Sequence, residues 1–203
     1  MADLKLIVGL GNPGPEYEHT RHNAGVWFID ELARQLGCQL QSDKKLKGAT
    51  ATANLKGKPV RLLVPDTFMN LSGQSVAACA SFYKIDPESI LVAHDELDVT
   101  LGTAKLKLGG GHGGNNGIRN IIQQLGNQAD FMRLRIGIGH PRDLAPKRDV
   151  TGHVLGRPSQ SERQQIDDCI SEALRALDLI AKDQWQRAQT LMHSFKPDTP
   201  PGH

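Results

Sequence analysis

LIVGLGNPGPEYEHTRHNAG, residues 6–25, is the stretch from which the fold of this 203-residue chain can be worked out. Its first residues, 6–8, form a short apolar run that is typical of a buried strand. A long loop rich in glycine and proline follows, and a helical pattern resumes only near Ala24. A long loop directly after a buried strand is where α/β proteins keep their chemistry. This loop contains a dense set of hydrogen-bonding side chains: Asn12, Tyr17, His19, Arg21, His22 and Asn23.

Residues 9–14 also fit the G-x-G-x-x-G pattern of dinucleotide-binding loops. In that fingerprint a helix begins within the glycines, and its N–H groups meet the pyrophosphate. Pro13 and Pro15 remove two of those donors and resist helix formation. Asp30 and Glu31 lie at the distance where a ribose-binding acid is expected, but they belong to a helical pattern. The sequence therefore favours a catalytic loop over a dinucleotide site.

The order of apolar patterns and turn residues predicts a single α/β domain over 1–203, with a mixed twisted sheet flanked by helices and with C-terminal helices. Strands are predicted at 4–10, 49–54, 59–64, 90–93, 103–108 and 131–138. Helices are predicted at 24–36, 71–83, 118–125, 162–181 and 185–194. We expect 143–151 to be polar and mobile, and 196–203 to be a frayed tail.

The net charge of +2 excludes no class of partner, but local basic clusters border the polar loops. They favour a polyanionic partner over simple solvated faces. The clusters are Lys44, Lys45 and Lys47; Lys105 and Lys107; Arg133 and Arg135; and Arg142, Lys147 and Arg148. Three widely spaced cysteines without C-x-x-C, Cys38, Cys79 and Cys169, predict reduced thiols. With no signal peptide or transmembrane run in the sequence, we expect a cytoplasmic protein that is not bound to a membrane.

Four predicted loops carry polar groups that can act together if the sheet brings them to one edge. They would contribute one imidazole, one carboxylate and several neutral amides. A histidine near pH 7 can take a proton from water, a carboxylate can fix its tautomer, and amides can hold an oxyanion. This set suits ester hydrolysis by an activated water. The sequence has no G-x-S-x-G motif and no cysteine in such a loop, which argues against a covalent nucleophile.

Each of these residues also has an ordinary structural interpretation. Any one of the asparagines can be a turn residue or a helix cap. Asp95 can pair with a nearby lysine, and the glycine-rich loop at 109–117 can be a phosphate nest. Composition and spacing therefore indicate a hydrolase-like polar site with a basic border, and they go no further.

Several long motifs together resemble the bacterial peptidyl-tRNA hydrolases. They are GLGNPG…Y…TRHNAG at 9–25, FMNLSG at 68–73, HDELD at 94–98, the segment 107–117, and RLRIGIG at 133–139. The resemblance spans residues 5 to about 157, and the C-terminal part matches by helical pattern. It implies hydrolysis of the ester that joins a peptide to the 3′ ribose of tRNA. It also implies a monomer that acts on peptidyl-tRNA and needs no metal or cofactor.

By the same resemblance, His22 would be the general base and Asp95 would orient it. Asn12 and Asn70 would bind the terminal ribose and the peptide end of the substrate and support the oxyanion. Asn116 would help to place the water and the peptide backbone. N-blocked peptidyl esters would be cleaved and free aminoacyl-tRNA spared, because a peptide bond needs the acceptors that these loops supply.

Tyr17, Asn23 and Met69 would line the cleft in this family resemblance. Lys107 and Arg135 would hold tRNA phosphates, and their alternation with apolar residues already predicts that they face outwards.

The sequence departs from the family pattern in two places. Asn115 stands where the family usually has histidine, and 99–102 replaces a proline-rich turn. The first departure predicts weaker gating of the cleft or weaker contact with substrate, and the second a different loop geometry.

Two further alternatives remain open at this stage. A metallohydrolase would use His19, His22, His94, Asp95 and His112 as ligands, but H-x-x-H in a loop is weak ligand spacing. A non-catalytic tRNA-binding module would need only the basic clusters.

Overall fold

The computed structural model describes residues 2–197, which form one seven-stranded mixed sheet with helices on both faces. The strands are β1 (Leu6–Gly9), β2 (Gln41–Asp43), β3 (Gly48–Leu55), β4 (Lys58–Pro65), β5 (Ile90–Glu96), β6 (Ala104–Leu108) and β7 (Met132–Gly137). The helices are α1 (Ala24–Leu36), α2 (Ser72–Tyr83), α3 (Asn116–Gln124), α4 (Pro141–Leu144), α5 (Val150–Val154), α6 (Gln160–Ala181) and α7 (Trp185–Ser194). The predicted fold class is confirmed.

The sheet has the order β2-β3-β4-β1-β5-β7-β6. The four central strands β4, β1, β5 and β7 run parallel, while β2, β3 and β6 pair antiparallel to their neighbours. Because carboxyl ends of parallel strands meet at one edge, the loops after β1, β4, β5 and β7 come together there. The loops that carry Asn12 and Asn70 lie at this edge, as does Asp95 near the end of β5. The glycine-rich loop leaves the antiparallel β6 at the other edge, where Leu108 pairs with Met132, and the start of α3 returns to Met69.

The core has two layers, one on each face of the sheet. On one face α1 and α6 pack against alternate strand residues such as Ile7 and Leu91. On the other face α2 and α3 cover Leu6 and Val92. The alternation of strand side chains between faces explains both layers.

Glycines set how closely α1 approaches the sheet. A Cβ at Gly25 would lie 2.3 Å from the carbonyl oxygen of Ala93, so only glycine lets the start of α1 lie on β5. The helix ends at Gly37, whose φ of 67° allows its N–H to reach the carbonyls of Ala33 and Arg34. The residues just before α1 are thereby held close to the end of β5.

The predicted elements agree with the observed ones to within three residues at every end, the largest difference being that β5 continues to Glu96. The short edge strand β2 was not predicted, since its residues are largely exposed and show no apolar alternation. The segment 143–151 was predicted to be polar and mobile, and no helix was predicted there, but it contains parts of α4 and α5. Side chains of His140 and Asp149 cap these two helices. Of the predicted tail, 198–203 lies outside the described residues.

The three cysteines are free, as predicted, and Cys79 and Cys169 are buried. Burial raises the pKa of the Cys79 thiol to about 11, so this group is not a nucleophile near neutral pH. Within residues 2–197, none of the helices combines the length and apolar character needed to cross a membrane.

Candidate active site

A histidine–carboxylate pair lies at the carboxyl edge of the sheet. His22 sits in a 3₁₀ turn, Arg21–Asn23, directly before α1, and Asp95 is near the end of β5. The His22 Nδ1 atom lies 2.8 Å from Asp95 Oδ2. The His22 side chain is 14% exposed and that of Asp95 3%. The imidazole therefore reaches solvent while the carboxylate behind it is shielded.

The carboxylate determines the protonation of the ring. Burial lowers the pKa of His22, but the charge of Asp95 and its hydrogen bond both raise it, and the net pKa is raised. In the neutral ring, Nδ1–H donates to the carboxylate and leaves the lone pair on Nε2. The ring is thus oriented to accept a proton at Nε2, as a general base does.

Asn12 and Asn23 form a reciprocal pair that shapes the loop after β1. The backbone N–H of Asn12 donates to Asn23 Oδ1 at 2.9 Å, and Asn23 Nδ2 donates to the Asn12 carbonyl at 3.0 Å. Asn23 is buried, and its amide is used up by these contacts. Asn23 therefore braces the loop, and it also borders a cavity that Asn12 and His19 line.

The side chain of Asn12 reaches across to the loop after β4. Its Oδ1 accepts the backbone N–H of Met69 at 2.7 Å, at the start of the 3₁₀ turn Met69–Leu71. This contact leaves the Nδ2 group of Asn12 for a substrate. It also fixes the next residue, Asn70, whose side chain is exposed.

The start of α3 approaches the same place. Asn115 caps this helix, because its Oδ1 accepts the backbone N–H of Ile118 at 3.0 Å. Asn116, the first helical residue, is exposed. A Cβ at Gly117 would lie 2.6 Å from Met69 Sδ, so the glycine allows α3 to pack closely against the Met69 turn. The cap interpretation is confirmed for Asn115, while Asn116 is free to face a ligand.

Sequence reasoning missed one residue that holds these elements together. Asn120 Oδ1 accepts the backbone N–H of Gly73 at 2.8 Å, which ties α3 to the start of α2. Asn70 and Asn116 lie just before these two contact points in the chain. No sequence pattern distinguishes Asn120 from any other polar residue on an amphipathic helix.

Lys107 and Arg135 are not equally free to bind a phosphate. Lys107 is exposed, as expected. Arg135 is partly buried, and its Nε donates to Glu96 Oε1 at 2.9 Å, so it faces outwards less freely than expected. Both line a cavity of about 140 Å³ with Gly111–Gly113 of the glycine-rich loop.

Arg133 corrects the expectation of a free basic cluster with Arg135. It is 2% exposed and donates hydrogen bonds to the carbonyls of Gly110, Gly111 and Ala129. Its charge is used to hold the glycine-rich loop against β7. The register of β6 on β7 shows why, since Lys107 pairs with Arg133 at the root of that loop.

Aromatic and apolar groups border the amides. Tyr17 is half-buried and meets the Phe68 ring edge-on, with centroids 6.2 Å apart. Phe68 is 55% exposed, although sequence reasoning gave it no role. Met69, which follows Phe68 in the chain, is buried.

This geometry supports the dinucleotide-binding and metallohydrolase interpretations of the sequence less well than it supports an ester hydrolase. No helix begins within the glycines at 9–14, because the chain stays in loop and turn until the 3₁₀ turn before α1. In the described part of the chain, no three His, Cys, Asp or Glu side chains are grouped so as to hold a metal ion.

These observations define a class of protein: an α/β enzyme with a histidine–carboxylate pair at the carboxyl edge of its sheet and asparagine-bearing loops at the same end. The family model for peptidyl-tRNA hydrolase matches residues 6–200. The chain therefore belongs to the peptidyl-tRNA hydrolase family.

Similar proteins support this assignment over almost the whole length. A peptidyl-tRNA hydrolase of Pectobacterium carotovorum is 57% identical over 197 residues, covering 97% of this chain and 100% of the relative. One from Shewanella amazonensis is 54% identical, covering 98% of this chain and 100% of the relative. The crystal structure of peptidyl-tRNA hydrolase from Acinetobacter baumannii superposes with a TM-score of 0.91 at 48% identity, covering 98% of each chain.

Proposed function

We propose that this enzyme hydrolyses the ester between a peptide and the 3′ ribose of tRNA, with His22 as the general base. The observation that carries the proposal is the 2.8 Å contact of His22 with Asp95 at the edge where the amide loops meet. Nε2 takes a proton from water as the water oxygen attacks the ester carbonyl. When the tetrahedral intermediate collapses, the imidazolium returns that proton to the departing ribose oxygen.

Asn12, Asn70 and Asn116 serve this reaction as neutral partners. The Nδ2 group of Asn12 and the exposed amide of Asn70 hold the developing oxyanion and the terminal ribose. Asn116, on the rigid first turn of α3, places the water and the peptide backbone. A peptide bond offers both a donor and an acceptor to these amides, whereas a free amino group offers a charge. This difference supports selection of N-blocked substrates.

Lys107 and Arg135 bind phosphates of the tRNA as the ester enters the cleft. Their positions beside the glycine-rich loop support this role, and Tyr17 lies with Phe68 against the substrate. We further propose that the enzyme is a monomer of the cytoplasm, where tRNA is used and where free thiols such as Cys38 persist. It uses no metal or cofactor, since its own imidazole supplies the base.

The test is single-turnover cleavage of N-acetyl-aminoacyl-tRNA beside the unblocked aminoacyl-tRNA. We expect cleavage of the blocked ester alone. His22→Ala should lower the rate by about 10²–10⁴, the usual cost of losing a general base. His19→Ala is the matched control, because His19 is exposed in the same loop, and it should keep wild-type turnover.

Circular dichroism would verify that both variants fold. Wild-type turnover in folded His22→Ala would refute the assignment of the base. Tight binding of tRNA without any cleavage would instead identify a non-catalytic tRNA-binding module.

A further inference from the structure

Arg21, the residue directly before the proposed base, is buried rather than exposed to substrate. It is 2% exposed. Its Nη1 donates to the His153 carbonyl at 3.1 Å, and its Nη2 lies 3.6 Å from Glu162 Oε1. Its backbone N–H donates to the Gly156 carbonyl at 3.0 Å. The 3₁₀ turn that carries His22 is thus anchored to α5, to the loop that follows it and to the first turn of α6.

His153 is the partner of Arg21 and is completely buried. Its Nε2 lies 3.1 Å and 3.0 Å from the carbonyl oxygens of Ile138 and Gly139, so Nε2 carries the hydrogen. Its Nδ1 then accepts a hydrogen bond from Arg148 Nη1 at 3.0 Å. Both ring nitrogens are satisfied in one neutral tautomer.

The charges around His153 keep the ring neutral. Burial lowers its pKa, and the nearby guanidinium groups of Arg21 and Arg148 lower it further, against the opposing effect of the two carbonyls. Glu162 is the acid that faces Arg21 from α6. A fixed tautomer makes His153 a directional brace, donating on one side and accepting on the other.

This brace contacts both supports of the catalytic pair. Through its backbone carbonyl, His153 holds the arginine beside His22. Through its ring, His153 holds the residues that follow β7. Strand β7 pairs with β5, and Ile136 of β7 lies opposite Asp95 of β5. The backbone N–H of Ile138 also donates to the Glu96 carbonyl at 3.1 Å.

Gly156 provides the space that the Arg21 guanidinium occupies. A Cβ at Gly156 would lie 2.8 Å from Arg21 Nη1 and 2.8 Å from the Gly152 carbonyl oxygen. The guanidinium therefore packs directly against Gly156. A buried arginine is costly unless its hydrogen bonds are made, so its contacts to His153 and Glu162 are needed to keep it there.

We infer that Arg21 and His153 are positioning residues for the reaction: together they set the distance between the His22 ring and the Asp95 carboxylate. The inference rests on the proposed function of His22 as general base. A displacement of about 1 Å in a catalytic group can cost 10²-fold in rate. Loss of the brace should therefore lower kcat without touching any group that contacts substrate.

Two substitutions of similar size separate the ring contacts of His153. His153→Gln places an amide N–H₂ near the position of ring Nε2 and keeps the donor to the Ile138 and Gly139 carbonyls. His153→Asn places its amide near ring Nδ1, where Arg148 is, and loses that donor. Arg21→Lys is a separate variant of the other partner, in case His153→Asn does not fold.

The readout combines kcat on N-acetyl-aminoacyl-tRNA, the acid limb of the pH profile, and titration of His22 followed by NMR. Asp95 is the charged group that raises the pKa of His22. If the pair is pulled apart, that pKa falls and the acid limb moves to lower pH. We expect His153→Asn and Arg21→Lys to lower kcat by about 10- to 100-fold with this shift, and His153→Gln to retain wild-type values.

A loss of kcat with an unchanged His22 titration would overturn the inference, since it would show a purely structural role. Folded His153→Asn and Arg21→Lys with wild-type kcat and titration would overturn it as well. The NMR titration also separates this inference from the proposed function. If the wild-type enzyme cleaved no ester, the proposed function would fail, yet a shift of the His22 titration in the variants would still show the brace.

Discussion

Replacing Asp95 with asparagine removes the charge behind His22 and keeps the size of the side chain. In the wild-type enzyme the carboxylate lies 2.8 Å from Nδ1 and accepts its hydrogen. An asparagine can instead present its N–H₂ group to Nδ1. This contact favours the tautomer with hydrogen on Nε2, which cannot take a proton from water.

The size of the effect follows from the contact that is lost. A hydrogen bond to a charged group contributes about 1.5–3 kcal/mol net. At about 1.4 kcal/mol per tenfold change in rate, this corresponds to roughly 10- to 150-fold in kcat. We expect Asp95→Asn to lose that much, and less than His22→Ala, because the imidazole remains in place.

The pH profile provides a second, independent test of the role of Asp95. The wild-type pKa of His22 is raised by Asp95 in spite of burial, so we expect the acid limb of kcat/KM to lie above the pKa of an ordinary histidine. In Asp95→Asn the charge is gone while the burial remains. The pKa of His22 should fall, and the acid limb should move to lower pH.

The assay is cleavage of N-acetyl-aminoacyl-tRNA between about pH 5 and 9, the range over which a histidine base titrates. Asp66→Asn is the matched control, because Asp66 is exposed after β4 and makes no hydrogen bond with its side chain among the described contacts. Urea unfolding of both variants would show whether each is folded. An Asp95→Asn enzyme with wild-type kcat and an unshifted acid limb would refute the role assigned to the carboxylate.

Three other predictions concern phosphate binding, metals and pH-dependent stability. Lys107→Ala and Arg135→Ala should each raise KM for full-length peptidyl-tRNA more than they lower kcat, and each should flatten the slope of log affinity against log salt by about 0.7–0.9. The change should be smaller for Arg135, which already pairs with Glu96, and near zero for both with a peptidyl ester on a short 3′ fragment. EDTA should leave single-turnover cleavage unchanged; loss of activity that zinc restores would instead indicate a metallohydrolase. Because the folded-state pKa of His22 is raised, its stabilising contribution should be present below the unfolded pKa of about 6.5 and lost as pH rises through the folded value. The difference in unfolding free energy between the wild type and His22→Ala should thus be larger at pH 5.5 than at pH 8.5, and an equal difference at both would contradict the raised pKa.

Local patterns were enough to predict most secondary-structure elements, and the family resemblance indicated His22 and Asp95 as partners, which the structure places in contact. Apolar alternation located the strands, and Gly37 marked the end of α1, because these signals depend on neighbours within one turn or a few strand residues. Strand β2 was not predicted, because an exposed edge strand needs no apolar alternation. It forms because it pairs with β3.

The roles of individual polar residues were harder to predict. Arg133 and Arg135 are equivalent in the strand pattern, yet one is buried against carbonyls and the other pairs with an acid at the cleft. Asn23 and Asn115 looked as suited to a substrate as Asn12, yet the first braces a loop and the second caps α3. Periodicity assigns a side chain to a face, but it does not say which group lies opposite.

The sequence by itself determined the strands, the main helices, the polar loops and the family resemblance. Only the tertiary structure decided which side chains meet. His22 and Asp95 are 73 residues apart in the chain, and Arg21 and His153 are 132 apart. They come together because β1 lies beside β5 and β7 lies beside β5 in turn. That order is set by burial of both faces of the sheet at once, a property of the whole chain that no local segment contains.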